Sequence, residues 1–230
     1  MAPYEVATFD NYGTLTDWEG GIAQFLYRLA LRNGDRLLVP GSELQQEFEA
    51  IQYDLIGGSY RSYKQVLAES LATFCDRHGW PYDDRLGRDL ADAMRSWSSF
   101  LDTNPALTRA KAAGMKLAIL SNTDRDIISH SIRHHRVAFD FVITAEDTRT
   151  YKPDDAFFAY ALAEIGVPAD RIIHVAFGFK YDNAPAKRAG LTTAWVNRHN
   201  EPQRAGVAAD HVWRDLWPLA GLADGRPIPE

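Results

Sequence analysis

The sequence predicts an α/β protein in which helices cover both faces of a parallel sheet and one all-helical unit, similar to a four-helix bundle, is inserted near the start. Three observations carry this reading. A short β-prone run at 4–9, YEVATF, ends in polar residues. About 80 residues of helical apolar spacing follow, without an obvious strand. From residue 104 onward, strand-like runs alternate with helical ones, the pattern of right-handed βαβ crossovers.

The elements follow in order. YEVATF stops at Asp10, and the next residues, Asn11, Gly13, Thr14 and Asp17, are loop formers. Four segments then carry apolar residues at helical spacing: GIAQFLYRLALRNG, SELQQEFEAIQYDLI, YKQVLAESLATFCDRHG and DRLGRDLADAMRSW. Gly34, Pro40, Gly57-Gly58 and Pro81 mark the turns between them. PALTRAKAAG, closed by Gly114, is a helix that feeds the strand KLAIL at 116–120, which runs into Ser121, Asn122, Thr123 and Asp124. FDFVIT (139–144), RIIHVA (171–176, leading to Asp182) and TTAWV (192–196) repeat the same order of strand and polar end. Residues 1–14 and 104–230 are therefore expected to form a Rossmann-like core domain, and residues 15–103 a helical cap over the strand ends, where open α/β sheets place their sites.

Composition narrows the function. The chain is 46% hydrophobic and 24% charged, the balance of a globular protein with a substantial core. Its 25 basic and 31 acidic residues leave a net charge of −6, which repels nucleic-acid phosphates and anionic membrane surfaces. No apolar run approaches the roughly 20 residues of a membrane span, and MAPYEVATFD lacks the basic start of a signal peptide, so a cytoplasmic protein is expected. The single cysteine, Cys75, excludes an intramolecular disulfide and reads as a core residue of the third helical segment. Apolar faces on the cap suit either core packing or a homodimer.

Four places at strand ends carry chemistry-bearing groups: Asp10, Ser121 with Asn122, Lys152 and Asp182. Taken singly, each reads as a turn residue, a helix cap or a surface charge. Taken in order, they resemble the haloacid dehalogenase superfamily: TFDNYGTLTD matches its first motif, LAILSNTD its second, TYKPD its third and HVAFGFKYDNAPAKRAGL its fourth. The resemblance implies that Asp10 is the nucleophile, with Lys152, Asp182, Ser121, Asn122 and Thr14 around it.

Phosphatases of that superfamily carry a second aspartate two residues after the first, and acids in the fourth motif that hold Mg²⁺. This chain has Tyr12 and Phe177 at those positions. The combination is similar to the metal-independent type II 2-haloacid dehalogenases, which implies no cofactor, a short carboxylic acid and water as reactants, and an aspartyl-ester intermediate. Lys152 is expected to keep Asp10 ionised and lower its pKa, Ser121 and Asn122 to grip the substrate carboxylate, and Asp182 to orient Lys152 or activate water.

Tyr12, Asn11, Trp18, Tyr60, Arg61, Phe177 and Phe179 are the candidate substrate-binding residues. Departures from the family pattern concern the leaving group. Leu44 stands where dehalogenases place a halide-binding cap arginine, for which Arg61 is a candidate substitute; Phe158 replaces a tyrosine and Ala176 a serine. Haloacid hydrolysis therefore stands beside two variants, defluorination of fluoroacetate and ring opening of azetidine-2-carboxylate. Phosphatase and inactive binding-module readings remain behind them.

Overall fold

The computed structural model describes residues 4–35, 41–202 and 208–223; the turn signal at Pro40 lies outside them. In chain order the elements are β1 (Val6–Phe9), α1 (Trp18–Arg32), α2 (Gly41–Ile56), α3 (Tyr63–His78), α4 (Asp84–Ala93), α5 (Thr103–Ala112), β2 (Lys116–Ser121), α6 (Arg125–Ser131), β3 (Phe141–Thr144), α7 (Ala145–Thr148), α8 (Asp155–Ile165), β4 (Ile172–Ala176), α9 (Ala184–Arg188), β5 (Thr192–Val196), β6 (His211–Trp213) and α10 (Trp217–Ala223). The strands form one parallel sheet in the order β3-β2-β1-β4-β5-β6. The order reverses at β1, so Asp10 leaves the sheet at its topological switch point, where a crevice opens between diverging crossovers.

Because a parallel sheet is covered on both faces, its strands need apolar side chains on both sides. On β2, Leu117 and Ile119 join Ala7, Phe9, Ile173 and Val175 on one face, against Ala106 and Leu107 of α5 and Leu219 and Leu222 of α10. Ala118 and Leu120 join Val6 and Ile172 on the other, against Phe157, Phe158 and Ala161 of α8. Thr8 and His174, paired in register on β1 and β4, interrupt the apolar pattern of that second face and are fully buried.

Helices α1 to α4 form where the apolar spacing puts them. Ile22, Leu26 and Leu29 of α1, Phe48 and Ile51 of α2, and Val66, Leu67, Leu71 and Phe74 of α3 are buried together with Cys75, and each large side chain contributes roughly 1.5–3 kcal/mol. Helix α3 begins at a capping box, Ser62 with Gln65, and ends at Gly79 in the left-handed conformation. The chain leaves the sheet and returns to it side by side: Asp17 N–H donates to Ser98 O at 2.9 Å and Phe100 N–H to Leu15 O at 3.0 Å.

Some expectations need correction. β1, β3 and β4 are shorter at their N-terminal ends than the runs 4–9, 139–144 and 171–176 suggested. β6 escaped the sequence reading because three residues are too few to show a period. The helix after β4 is preceded by a π-helical turn, Phe179–Asn183, which carries Asp182. Among the described residues no helix is long and apolar enough to cross a membrane.

Candidate active site

Asp10 sits just past β1 with its side chain 12% exposed. Thr14 Oγ1 donates to its Oδ2 at 3.0 Å, and the same hydroxyl accepts from Phe177 N–H at 2.9 Å, so Thr14 ties the first loop to the loop after β4. Gly13 makes the tight return possible. Its φ of +91° suits glycine, and a Cβ there would lie 3.0 Å from the Phe177 ring.

Lys152 is the hub. Its ammonium donates to Asp10 Oδ1 at 3.0 Å, Leu120 O at 2.8 Å and Asp182 Oδ1 at 2.5 Å, which uses all three of its protons. Such a fully bonded ammonium tolerates the burial seen here. Asn122 fixes the backbone that carries it: Oδ1 accepts from Lys152 N–H at 2.8 Å and Nδ2 donates to Lys152 O at 2.9 Å. Its amide therefore positions the lysine, although the sequence suggested that it grips substrate. Ser121 Oγ lies 3.1 Å from Thr123 Oγ1, and both residues line the pocket in front of Asp10.

Burial pushes the Asp10 carboxyl up, to about 6, and repulsion from Asp182 adds to it; attraction to Lys152 offsets only part. Lys152 does lower it, as the sequence suggested, but burial outweighs that attraction and the net shift is upward. Burial also opposes the charges of Asp182 and Lys152, but their mutual attraction wins, so Asp182 is held below the usual carboxylate range and Lys152 above the usual lysine value. At neutral pH all three groups are ionised.

The pocket has a volume of about 100 Å³ and lies between the sheet's carboxyl end and the helical segment. Asp10, Lys152, Asp182, Ser121 and Asn122 form its floor, while Trp18, Glu49, Gln52, Ile56 and Tyr63 reach it from α1, α2 and α3. Asp124, the last residue of the second motif, joins the two parts by accepting from Tyr63 N–H at 2.8 Å and Lys64 N–H at 3.0 Å at the start of α3.

Of the aromatic candidates, Tyr12, Trp18 and Phe177 line this pocket. The Tyr12 hydroxyl is engaged by Ser131 Oγ at 2.6 Å, so its ring forms wall. Four candidates lie elsewhere. Asn11 is buried behind the first loop, where its Oδ1 accepts from His135 Nε2 at 2.7 Å. Tyr60 stacks at a tilt on Tyr151 under Arg149 in a neighbouring cleft. Arg61 pairs with Glu69 on the surface, drawn there by a carboxylate two turns along α3. Phe179 packs on Trp195 in an outer cleft, because the π-helical turn swings it away from the floor.

The sequence reading missed Glu49, Gln52 and Ile56, which share one face of α2 at helical spacing, and also Tyr63, Tyr181 and His174. A polar Glu-x-x-Gln pair interrupting the apolar face of α2, and a histidine inside the apolar run RIIHVA, were the available signals.

The donor set does not suit a divalent cation. Phe177 presents no ligand atom, and the ammonium of Lys152 sits between Asp10 and Asp182, where a metal would need open carboxylate oxygens. Among the described residues no group of three or more His, Cys, Asp or Glu side chains is arranged to hold a metal ion.

Comparison with known proteins agrees with this geometry. A family model for haloacid dehalogenase-like hydrolases matches residues 4–190. An (S)-2-haloacid dehalogenase, H-109 of Pseudomonas putida, is 31% identical over 221 residues, covering 94% of this chain and 96% of its own. A second (S)-2-haloacid dehalogenase, from Pseudomonas fluorescens, is 30% identical over 219 residues, covering 94% and 95%. A solved L-2-haloacid dehalogenase superposes with a TM-score of 0.81 at 27% identity, covering 96% of this chain and 99% of its own. With the matched segment running from β1 through α9, and so through every residue on the pocket floor, the chain belongs to the haloacid dehalogenase-like hydrolase family.

Proposed function

We propose that the protein hydrolyses short 2-haloacids, preferring the (S) enantiomer, to the 2-hydroxy acid and halide through an ester on Asp10. The observation that carries this reading is the Asp10 carboxylate, ionised at neutral pH, facing a small pocket while Lys152 and Thr14 hold its two oxygens. An Asp10 oxygen attacks C2, and the carbon–halogen bond breaks with the electron pair leaving on the halide, inverting the carbon. Water then attacks Cγ of the ester and passes a proton to Asp182. The acyl C–O bond breaks, the hydroxy acid departs with a proton, and Asp10 returns as carboxylate. The net change is one water consumed, with one halide and one proton released.

The helices of residues 15–103 serve in this reading as the lid that excludes water, since Trp18, Glu49, Gln52, Ile56 and Tyr63 face Asp10 across the pocket. A volume of about 100 Å³ favours acids of two or three carbons.

One observation favours a second reading. Among the described residues lining the pocket Lys152 is the one cation, against Asp10, Glu49 and Asp182, and aromatic rings of Tyr12, Trp18, Tyr63 and Tyr181 stand around them. That surrounding suits a leaving group that departs as a cationic amine, as in the ring opening of azetidine-2-carboxylate. Purified protein incubated separately with each enantiomer of 2-chloropropionate, fluoroacetate and azetidine-2-carboxylate decides between them. Halide release from (S)-2-chloropropionate, absent in Asp10→Asn, supports the first reading; ring opening without halide release from any haloacid replaces it with the second.

A further inference from the structure

We propose that His174 is a positioning residue for the hydrolytic half of the reaction, acting through Asp182. His174 stands on β4 in register with Thr8 of β1, and both side chains are fully buried on the face of the sheet that α8 covers. Its Nε2 lies 3.3 Å from Asp182 Oδ1 and its Nδ1 lies 2.9 Å from Thr8 Oγ1. An ionised carboxylate only accepts, so Nε2 carries the proton; Nδ1 then accepts from the Thr8 hydroxyl. The groups facing the ring are Thr8 from β1, the Phe158 ring from α8 at 5.5 Å, Asp182, and the Lys152 ammonium beyond it. Burial holds the imidazole below its ordinary pKa, in keeping with a neutral ring at neutral pH.

The consequence lies in which oxygen of Asp182 is occupied. His174 and Lys152 both donate to Oδ1. Oδ2 lies against Gly178 at the pocket wall, where a Cβ would come within 2.7 Å of it. Two donors on one oxygen fix the carboxylate's rotation and turn Oδ2 toward the pocket as the base for the attacking water. A neutral donor does this without adding a second cation beside Lys152, which would compete for the electron density that Oδ2 needs. Formation of the ester does not use Oδ2, so the two half-reactions separate.

This inference rests on the ester mechanism proposed above. His174→Leu removes the donor, and His174→Gln restores an N–H. In rapid-mixing experiments with (S)-2-chloropropionate, His174→Leu should form the Asp10 ester at the wild-type rate and hydrolyse it at least tenfold more slowly, part of the roughly 10²- to 10⁴-fold that a positioned base contributes. Intact-mass spectra should show the ester accumulating, and His174→Gln should recover part of the loss. Wild-type rates of ester hydrolysis in a folded His174→Leu protein overturn the inference and leave the ester mechanism standing. Absence of any ester or halide from wild-type protein removes both. Nitrogen NMR of the unaltered protein supplies an arm that needs no variant: a ring protonated on Nε2 and uncharged from pH 6 to 8 supports the assignment, and a ring protonated on Nδ1 overturns it.

Discussion

Asp10→Asn should abolish turnover and make the protein more stable. The Asp10 carboxyl is pushed from 3.8 to about 6 by burial and by Asp182, net of the attraction to Lys152. A shift of about two units corresponds to about 3 kcal/mol at most, the cost of keeping this carboxylate ionised in the folded protein. Asparagine fills nearly the same space without that charge, and Lys152 keeps Asp182 and Leu120 O as partners. Below about pH 3 the carboxyl is protonated in both folded and unfolded chains, so variant and wild type should differ little. Between about pH 4 and 6 the unfolded chain gives up this proton while the folded wild type keeps it, so the gap should open across that range and hold its full size above about 6. For a chain of this length that is about 6–12 °C in Tm. Thermal unfolding of both proteins between pH 3 and 8 measures it. A variant less stable than wild type at pH 8, or a gap that narrows as pH rises, would refute the reasoning, because Asp10 would then be a net stabiliser.

Turnover should fall on the acid side as Asp10 protonates near pH 6, so the acid limb of kcat/KM measures the same group in the free enzyme. Lys152→Met should lose activity and about 3–5 kcal/mol of stability, since it leaves Asp10 and Asp182 buried without a counter-charge; denaturant unfolding at pH 8 checks this, and lowering the pH should narrow the deficit as a carboxyl protonates. Gly178→Ala should push on Asp182 Oδ2, which its Cβ would approach to 2.7 Å, and steady-state assays should show kcat falling more than KM changes. Asp124→Ala should cost about 1–2 kcal/mol by uncapping α3, measured by urea unfolding.

The sheet was legible because its buried strands are short, mostly apolar runs set between helical segments, a pattern imposed by covering both faces of a parallel sheet. The catalytic floor was legible from the same pattern: Ser121 ends β2, Asp10 and Asn122 come directly after β1 and β2, and Lys152 and Asp182 lie in the connections that leave β3 and β4. What failed were assignments that depend on where a side chain turns. Arg61 and Tyr60 sit close in sequence to Tyr63, which does line the pocket, yet Glu69 and Tyr151 draw them outward. Phe177 and Phe179 both reach the outer cleft, but Phe177 alone of the two also lines the pocket in front of Asp10, because a π-helical turn begins at Phe179 and breaks the ordinary helical spacing. His174 was hidden for a different reason. Its partners, Thr8 and Asp182, come from β1 and from beyond β4, and only the sheet register brings them together.

The central claim is that the oxygen delivered to the product passes through Asp10. Single turnover of (S)-2-chloropropionate by excess enzyme, in water enriched with the heavy oxygen isotope, tests it directly. The label should appear in the Asp10 carboxylate and be absent from the first hydroxy acid released. Label found in that hydroxy acid, with Asp10 unlabelled, would mean that water attacks the substrate itself and would contradict the account.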